Sequence, residues 1–440
     1  MPYLCRVETN ILLYMAEITY KRRIADRLLQ DYLEMTGGVL VEGPKWCGKT
    51  TTCEQVAKSK VMLANPSVLE SSIRMAQTNM PYLLAGSVPR LFDEWQSIPE
   101  LWDAIRYEVD HRQEKGQFIL TGSAVPLESD RIHHTGTGRY AHFRMRPMSL
   151  WESGESTGEV SLGSLFESAD NVIGHNAHTL EDIAFLLCRG GWPDTLNRSP
   201  RIALKTAYNY VDALVSSDIS RVDETLRNPR RVRLLLRSLA RLQGSQAPIS
   251  TIHQDMLTND ENSLSEKTII SYINALEKVF VVEDMPAWST NLRSKTAIRT
   301  ADTRYFVDPS IAAAALGITP NKLLNDLNTF GLIFETMAVR DLRVYADAID
   351  AKVYHYRDKN GLECDAVIEC RDGSYGLIEI KLGGRTAIET AQASLNKLTG
   401  KINTERAGEP AFRMVLTAVG EYAYSLKDGT MVVPIGCLKD

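Results

Sequence analysis

The 440-residue sequence has no apolar run long enough to cross a bilayer. Its N-terminal patch from Ile11 to Ala16 falls far short of the ~20 residues a spanning helix needs, and nothing after it resembles a signal-peptide cleavage site. The expectation is a soluble chain with no membrane partner, and residues 1–16 read as a tail. Cysteines are few. Cys5, Cys47, Cys53, Cys188, Cys364, Cys370 and Cys437 are odd in number and lack C-x-x-C pairing or metal-ligand spacing, which argues against a disulfide scaffold or zinc site and favours a reducing cytoplasm. Positive charge is not in surplus either. With 50 Lys and Arg against 55 Asp and Glu the net charge is −5, so any nucleic acid would have to meet a local basic surface.

What the chain has is bulk: 44% of its residues are hydrophobic and 24% charged, enough to bury several cores, and the length suggests about three domains. One run stands out. Gly43-Pro44-Lys45-Trp46-Cys47-Gly48-Lys49-Thr50 fits the G-x-x-x-x-G-K-[ST] pattern of a phosphate-binding loop. Before it, Ile24, Leu28 and Tyr32 recur at helical spacing, Gly37-Gly38 breaks that helix, and the apolar Val39-Leu40-Val41 reads as a strand. After it, residues 51–58 contain no Gly or Pro and read as the continuing helix. In this context the loop amides and helix N-terminus would cradle the phosphates of ATP, with Thr51 opening the helix beside them. Lys49 would reach the terminal phosphates, and Thr50 would hold Mg²⁺.

Hydrolysis also needs an acid on the metal and a group that activates water. The short apolar stretch Leu91-Phe92 ends in Asp93-Glu94, which predicts Asp93 on the Mg²⁺ shell and Glu94 as the base. A further strand, Phe118-Ile119-Leu120, runs into Thr121-Gly122-Ser123, and Ser123 or Thr121 is expected to sense the terminal phosphate. Arg139 is a candidate arginine finger, acting on a nucleotide in its own or a neighbouring subunit, so a homo-oligomer is a candidate assembly.

These marks, with Pro147-Met148-Ser149-Leu150-Trp151-Glu152, Gly190-Gly191-Trp192-Pro193 and the ending Val433-Pro434-Ile435, resemble the AAA-type ATPases of bacteria and archaea that carry a C-terminal domain of unknown function. The resemblance covers nearly everything after residue 17 and implies an α/β P-loop NTPase domain with an AAA/ASCE-type parallel sheet over residues 17–155.

Residues 156–178 are polar, with scattered Gly, Ser and Asn, and read as a linker. Over residues 179–308 helical patterns dominate. In Pro229 to Leu242, Val232, Leu235, Leu236 and Leu239 share one face, and Arg230, Arg233, Arg237 and Arg241 line the other. A second helix is expected to start at Ser263 with Glu266 completing a capping box, apolar at Ile269, Ile273 and Leu276 and polar at Lys267, Ser271, Asn274 and Lys278. Strands near Phe280 to Val282 and Tyr305 to Val307, flanking a loop with Arg293, Lys295 and Arg299, suggest a winged helix that would meet DNA.

Residues 309–440 read as α-β-β-β-α-β, an order that resembles the PD-(D/E)xK nuclease fold. Strand alternation puts Glu363 and Asp365 on one face, and Glu379 and Lys381 on one face of the next strand. Asp365 and Glu379 would clamp Mg²⁺ or Mn²⁺, with Lys381 orienting water or steadying charge on phosphate. Glu335, on the first helix beside Leu332, Val339 and Leu342, would complete the metal shell by similarity to resolvase-like members, and Gln392 occupies the place of a glutamine in some relatives. Two functions compete: a Mg²⁺-dependent ATPase coupled to DNA through a nuclease-like effector, and a nucleotide-gated DNA-binding regulator, or protein-client ATPase, whose C-terminal acids are structural.

Overall fold

In the computed structural model, which describes residues 20–123, 137–169, 172–221, 225–257, 265–289, 301–402 and 404–440, the first ordered unit is a sheet wrapped on both faces by helices. Its five strands, β1 (Gly38–Glu42), β2 (Ser59–Met62), β3 (Arg90–Asp93), β4 (Phe118–Gly122) and β5 (Tyr140–Arg144), are all parallel in the order β2-β3-β4-β1-β5. A parallel sheet needs cover on both sides, and the central strands are apolar on both faces accordingly. Leu40, Phe92, Phe118 and Leu120 face one core, shared with α3 (Pro66–Leu84) and α4 (Glu100–Arg112). Val39, Val41, Leu91 and Ile119 face the other, shared with α1 (Ile24–Met35) and α2 (Lys49–Glu54). Helix α2 stops at Glu54, short of the expected Lys58.

The middle of the chain is helical: α5 (Leu180–Arg189), α6 (Pro200–Ala213) running into a π-helical turn at Leu214–Asp218, α7 (Pro229–Leu242), α8 (Ile249–Leu257) and α9 (Glu266–Lys278). The antiparallel pair β6 (Val282–Met285) and β7 (Thr303–Phe306) follows. Helix α7 buries Val232, Leu235, Leu236 and Leu239, and its four arginines at 230, 233, 237 and 241 are exposed, as the pattern predicts. On α9 the N-cap is Ser265, whose side chain accepts the Thr268 N–H at 3.2 Å. Ser263 lies outside the described residues, as do Arg293, Lys295, Arg299 and the tail 1–16.

After α10 (Pro309–Leu316) comes the long helix α11 (Leu327–Ala348), then β8 (Lys352–Arg357), β9 (Glu363–Glu369), β10 (Tyr375–Lys381), α12 (Arg385–Thr399) and β11 (Phe412–Thr417). The first three strands pair antiparallel and β11 joins β10 in parallel, so the expected element order is present. Strands β12 (Tyr422–Ser425) and β13 (Met431–Pro434) extend the sheet. The segment expected as a linker contributes to this half: Gly174–His175 pairs with β12, and Val160–Ser161 pairs with Leu438–Lys439. One apolar core, containing Leu187, Leu236, Ile273, Phe334, Ile378 and Leu416, runs through the helical middle and the C-terminal sheet. No helix among the described residues is long and apolar enough to cross a membrane.

Candidate functional site

Strand β1 delivers the chain to Gly43, where a Cβ would lie 2.1 Å from the Met145 carbonyl oxygen, so only glycine fits. The loop then turns through left-handed Trp46 (φ 66) and Gly48 (φ 100), and Gly48 caps α2. Lys49 is buried, its ammonium donating to the carbonyls of Gly43 and Pro44 at 2.8 Å each. Thr50 turns toward the sheet. Thr51 is exposed on the outer face of α2, and its neighbour Thr52 faces inward to the Tyr20 hydroxyl at 2.9 Å.

Because β4 lies between β1 and β3, its end meets both acids. The Asp93 carboxylate accepts hydrogen bonds on Oδ1 from the hydroxyls of Thr50 (2.6 Å) and Thr121 (2.7 Å). The Glu94 amide donates to Thr121 Oγ1 at 3.3 Å. The Glu94 carboxylate accepts from Ser123 Oγ at 3.1 Å and from the Gln96 side-chain amide. The sequence candidates Lys49, Thr50, Asp93, Glu94 and Ser123 thus come together at the C-terminal edge of the sheet, with both Thr121 and Ser123 bonded to the acids there. The Thr50 hydroxyl and the Asp93 carboxylate are hard oxygen donors of the kind Mg²⁺ takes, so these two residues fit that ion.

Arg139 does not join them. Tyr140 is in register with Gly38, the first residue of β1, so Arg139 stands at the N-terminal edge of the sheet. Five strand residues separate it from the loop, roughly 17 Å. There its Nε donates to Asp110 Oδ1 at 2.8 Å. The expectation that it reaches a nucleotide in its own chain is corrected by this register.

Three further contacts to the loop went unread in the sequence. Lys45 pairs with Asp218 of the π-helical turn at 2.6 Å. Trp46 meets Tyr210 edge-on at 5.4 Å, and Tyr210 stacks on Trp192. Arg23 donates to the Cys47 carbonyl at 3.0 Å and to Glu152 at 2.9 Å. Glu152 is the third residue of the short helix that Ser149 caps and closes the capping box, a signal the run Ser149-Leu150-Trp151-Glu152 did carry.

The Gly190-Gly191-Trp192-Pro193 run is a joint between the domains. A Cβ on Gly191 would sit 2.2 Å from the Met148 carbonyl oxygen, and the Gly191 N–H donates to Asp308 at 2.8 Å. Asp308 in turn pairs with Arg340, which also binds Asp341, and Asp341 accepts the Leu150 N–H at 3.0 Å. Nearby, Arg146 forks onto Glu283, which Arg144 and Arg343 also approach; these arginines outweigh burial and hold the Glu283 carboxyl well below its usual range.

The C-terminal candidates also come together. Lys381 spans Asp365 (2.9 Å) and Glu379 (2.7 Å), while Asp365 accepts the Ile380 N–H at 2.7 Å and Glu379 accepts from Ser394 at 3.1 Å. Glu335 reaches the same cluster from α11, bonded by the Tyr305 hydroxyl at 2.5 Å. Burial, with Asp365 adding repulsion, pushes Glu335 up to about 8 and Glu379 up to about 7. Burial opposes the Lys381 ammonium, but the two acids prevail and raise it. Gln392 hydrogen-bonds Asp428. Among the described residues no three His, Cys, Asp or Glu side chains are arranged to hold a metal ion. A cleft of about 550 Å³ lies elsewhere, between β5 and β8, and includes none of the loop.

Residues 36–153 match a family model described as an AAA domain, residues 180–322 a domain of unknown function (DUF8612), and residues 330–438 another domain of unknown function (DUF4143). The match over residues 36–153 supports a P-loop ATPase of the AAA type in the N-terminal unit. The chain is 23% identical over 421 residues to the uncharacterized proteins Rv2008c of Mycobacterium tuberculosis and Mb2031c of Mycobacterium bovis, covering 94% of this chain and 83% of each. Among solved structures it is similar to the Walker-type ATPase PABY2304 of Pyrococcus abyssi, with a TM-score of 0.41 and 16% identity over 66% of this chain and 94% of that one.

Proposed function

We propose that the chain is a Mg²⁺-dependent ATPase whose nucleotide cycle acts on DNA through a winged-helix-like middle segment and a nuclease-like C-terminal module, in the cytoplasm. The observation that carries the ATPase reading is the hydrogen-bonded set Thr50–Asp93–Thr121 and Glu94–Ser123 beside Lys49. Lys49 and the loop bind and orient the phosphates of ATP, Glu94 accepts the proton of the attacking water, and Ser123 holds Glu94 in place. Mg²⁺, held by Thr50 and Asp93, supplies charge that neutralises the phosphate oxygens. Arg139 keeps only a role toward a neighbouring subunit of a homo-oligomer.

Support for DNA comes from the middle segment. Helix α9 exposes Lys267, Ser271 and Asn274 on one face, and α7 exposes its four arginines, an arrangement suited to a groove and its flanking phosphates. The α-β-β-β-α-β order with Asp365, Glu379 and Lys381 on adjacent strands supports a nuclease-like module in which the two acids hold Mg²⁺ or Mn²⁺. The second reading, a nucleotide-gated DNA-binding regulator, is favoured by one observation: Lys381 already neutralises both acids. Incubation with single- and double-stranded DNA in Mg²⁺ or Mn²⁺ separates them. Cleavage abolished by Asp365→Ala supports the nuclease, salt-sensitive binding without cutting supports the regulator, and neither points to a protein client.

A further inference from the structure

Arg23 ends the stretch before α1 with its side chain only 3% exposed, and it uses its whole fork. Nε and one terminal nitrogen bind Glu152, at 2.9 and 3.3 Å; the same terminal nitrogen donates to the Arg146 carbonyl at 3.0 Å. The other donates to the Cys47 carbonyl at 3.0 Å. Glu152 is itself 2% exposed and is fixed by the Ile24 N–H at 3.0 Å and the Ser149 N–H at 2.9 Å. The guanidinium is thus anchored on one side by a buried carboxylate and presses on the phosphate-binding loop with the other.

That contact falls on a particular peptide. In a planar trans peptide the carbonyl and the following N–H point in opposite directions, so pinning the Cys47 oxygen toward Arg23 aims the Gly48 N–H away from it. Gly48 is left-handed at φ 100 and so has little intrinsic preference to hold that plane by itself. We infer that Arg23 is a positioning residue for the nucleotide site: by fixing the peptide between Cys47 and Gly48 it sets the Gly48 amide in the direction that receives a phosphate oxygen. The inference rests on the ATPase reading above and deepens it. It also explains why an arginine stands there. An ammonium would satisfy the charge of Glu152 but could not reach Glu152, Cys47 and Arg146 together in one plane.

Arg23→Ala would leave Glu152 buried and unpaired, so the test uses Arg23→Lys and the charge-free pair Arg23→Gln with Glu152→Gln, each checked for folding by circular dichroism. In both, ATP binding and the KM for ATP are expected to weaken roughly tenfold or more, the scale of one hydrogen bond to a charged group. A purely structural role would lower the folded fraction, and hence apparent kcat, with KM and Kd unchanged. Folded variants with ATP Kd and KM within about twofold of the parent, against the tenfold scale of such a bond, overturn the inference. If the parent protein binds ATP but does not hydrolyse it, the ATPase reading fails and Arg23 is judged on Kd alone. If the parent does not bind ATP, both fall.

Discussion

Replacing Glu94 by glutamine removes a proton acceptor and little else. The Ser123 hydroxyl, 3.1 Å from Glu94 Oε2, finds an amide oxygen in the same place, and the left-handed backbone at φ 57 suits both side chains equally. Asp93, Thr50 and Thr121 are untouched, so the metal-holding oxygens keep their partners. The loss should therefore appear in the chemical step alone. A positioned general base contributes about 10²–10⁴ in rate, so kcat of Glu94→Gln should fall by that factor, roughly 2.7–5.4 kcal/mol in barrier. ATP affinity should stay within about threefold, since removing a group that acts only in the transition state leaves ground-state binding. Phosphate release at saturating Mg-ATP and equilibrium binding of a fluorescent ATP analogue measure the two quantities on one preparation. A variant that turns over within threefold of the parent would refute the assignment of Glu94, since no described residue other than Glu94 stands in that relation to Ser123 and Thr121.

Two further outcomes follow from the packing. Glu335 carries a folded-state pKa raised by burial to about 8, so its contribution favours the folded state at low pH and is lost as pH climbs from the usual carboxylate range through 8. Urea unfolding across pH 5–9 should show the parent losing stability along that rise and Glu335→Gln showing a flatter profile. Arg340, 1% exposed between two fully buried acids, should cost ~3–5 kcal/mol when changed to methionine, because Asp308 and Asp341 are left without their cation. The same melts read it, and a loss below ~1 kcal/mol would contradict the claim that this triad joins the domains.

The phosphate loop and the two acids were legible because their chemistry forces a residue pattern: a glycine where the Met145 carbonyl crowds the loop, a carboxylate at the end of an apolar strand. The order of elements from α11 to β11 was legible too, since its helices and strands are long enough to show their periods. Whether Arg139 could face its own loop was not legible, because motif order along the chain does not say which edge of the sheet a residue occupies; only the register of Tyr140 on Gly38 does. The strands at 160–161 and 174–175 are two residues each, too short for any alternation to appear, so a polar stretch read as a linker. Arg23 and Asp218 carry no local signal. Each acquires its role from a partner more than a hundred residues away in sequence, Glu152 in one case and Lys45 in the other.

The account stands on Lys49 and its loop receiving the phosphates of ATP. Isothermal titration of the full chain with ATP and Mg²⁺, beside Lys49→Ala, tests this most directly. The parent should give saturable heat at one site per chain and the variant should lose it, with both melting at similar temperatures. A folded parent that shows no saturation, or a variant that binds as the parent does, would contradict the account.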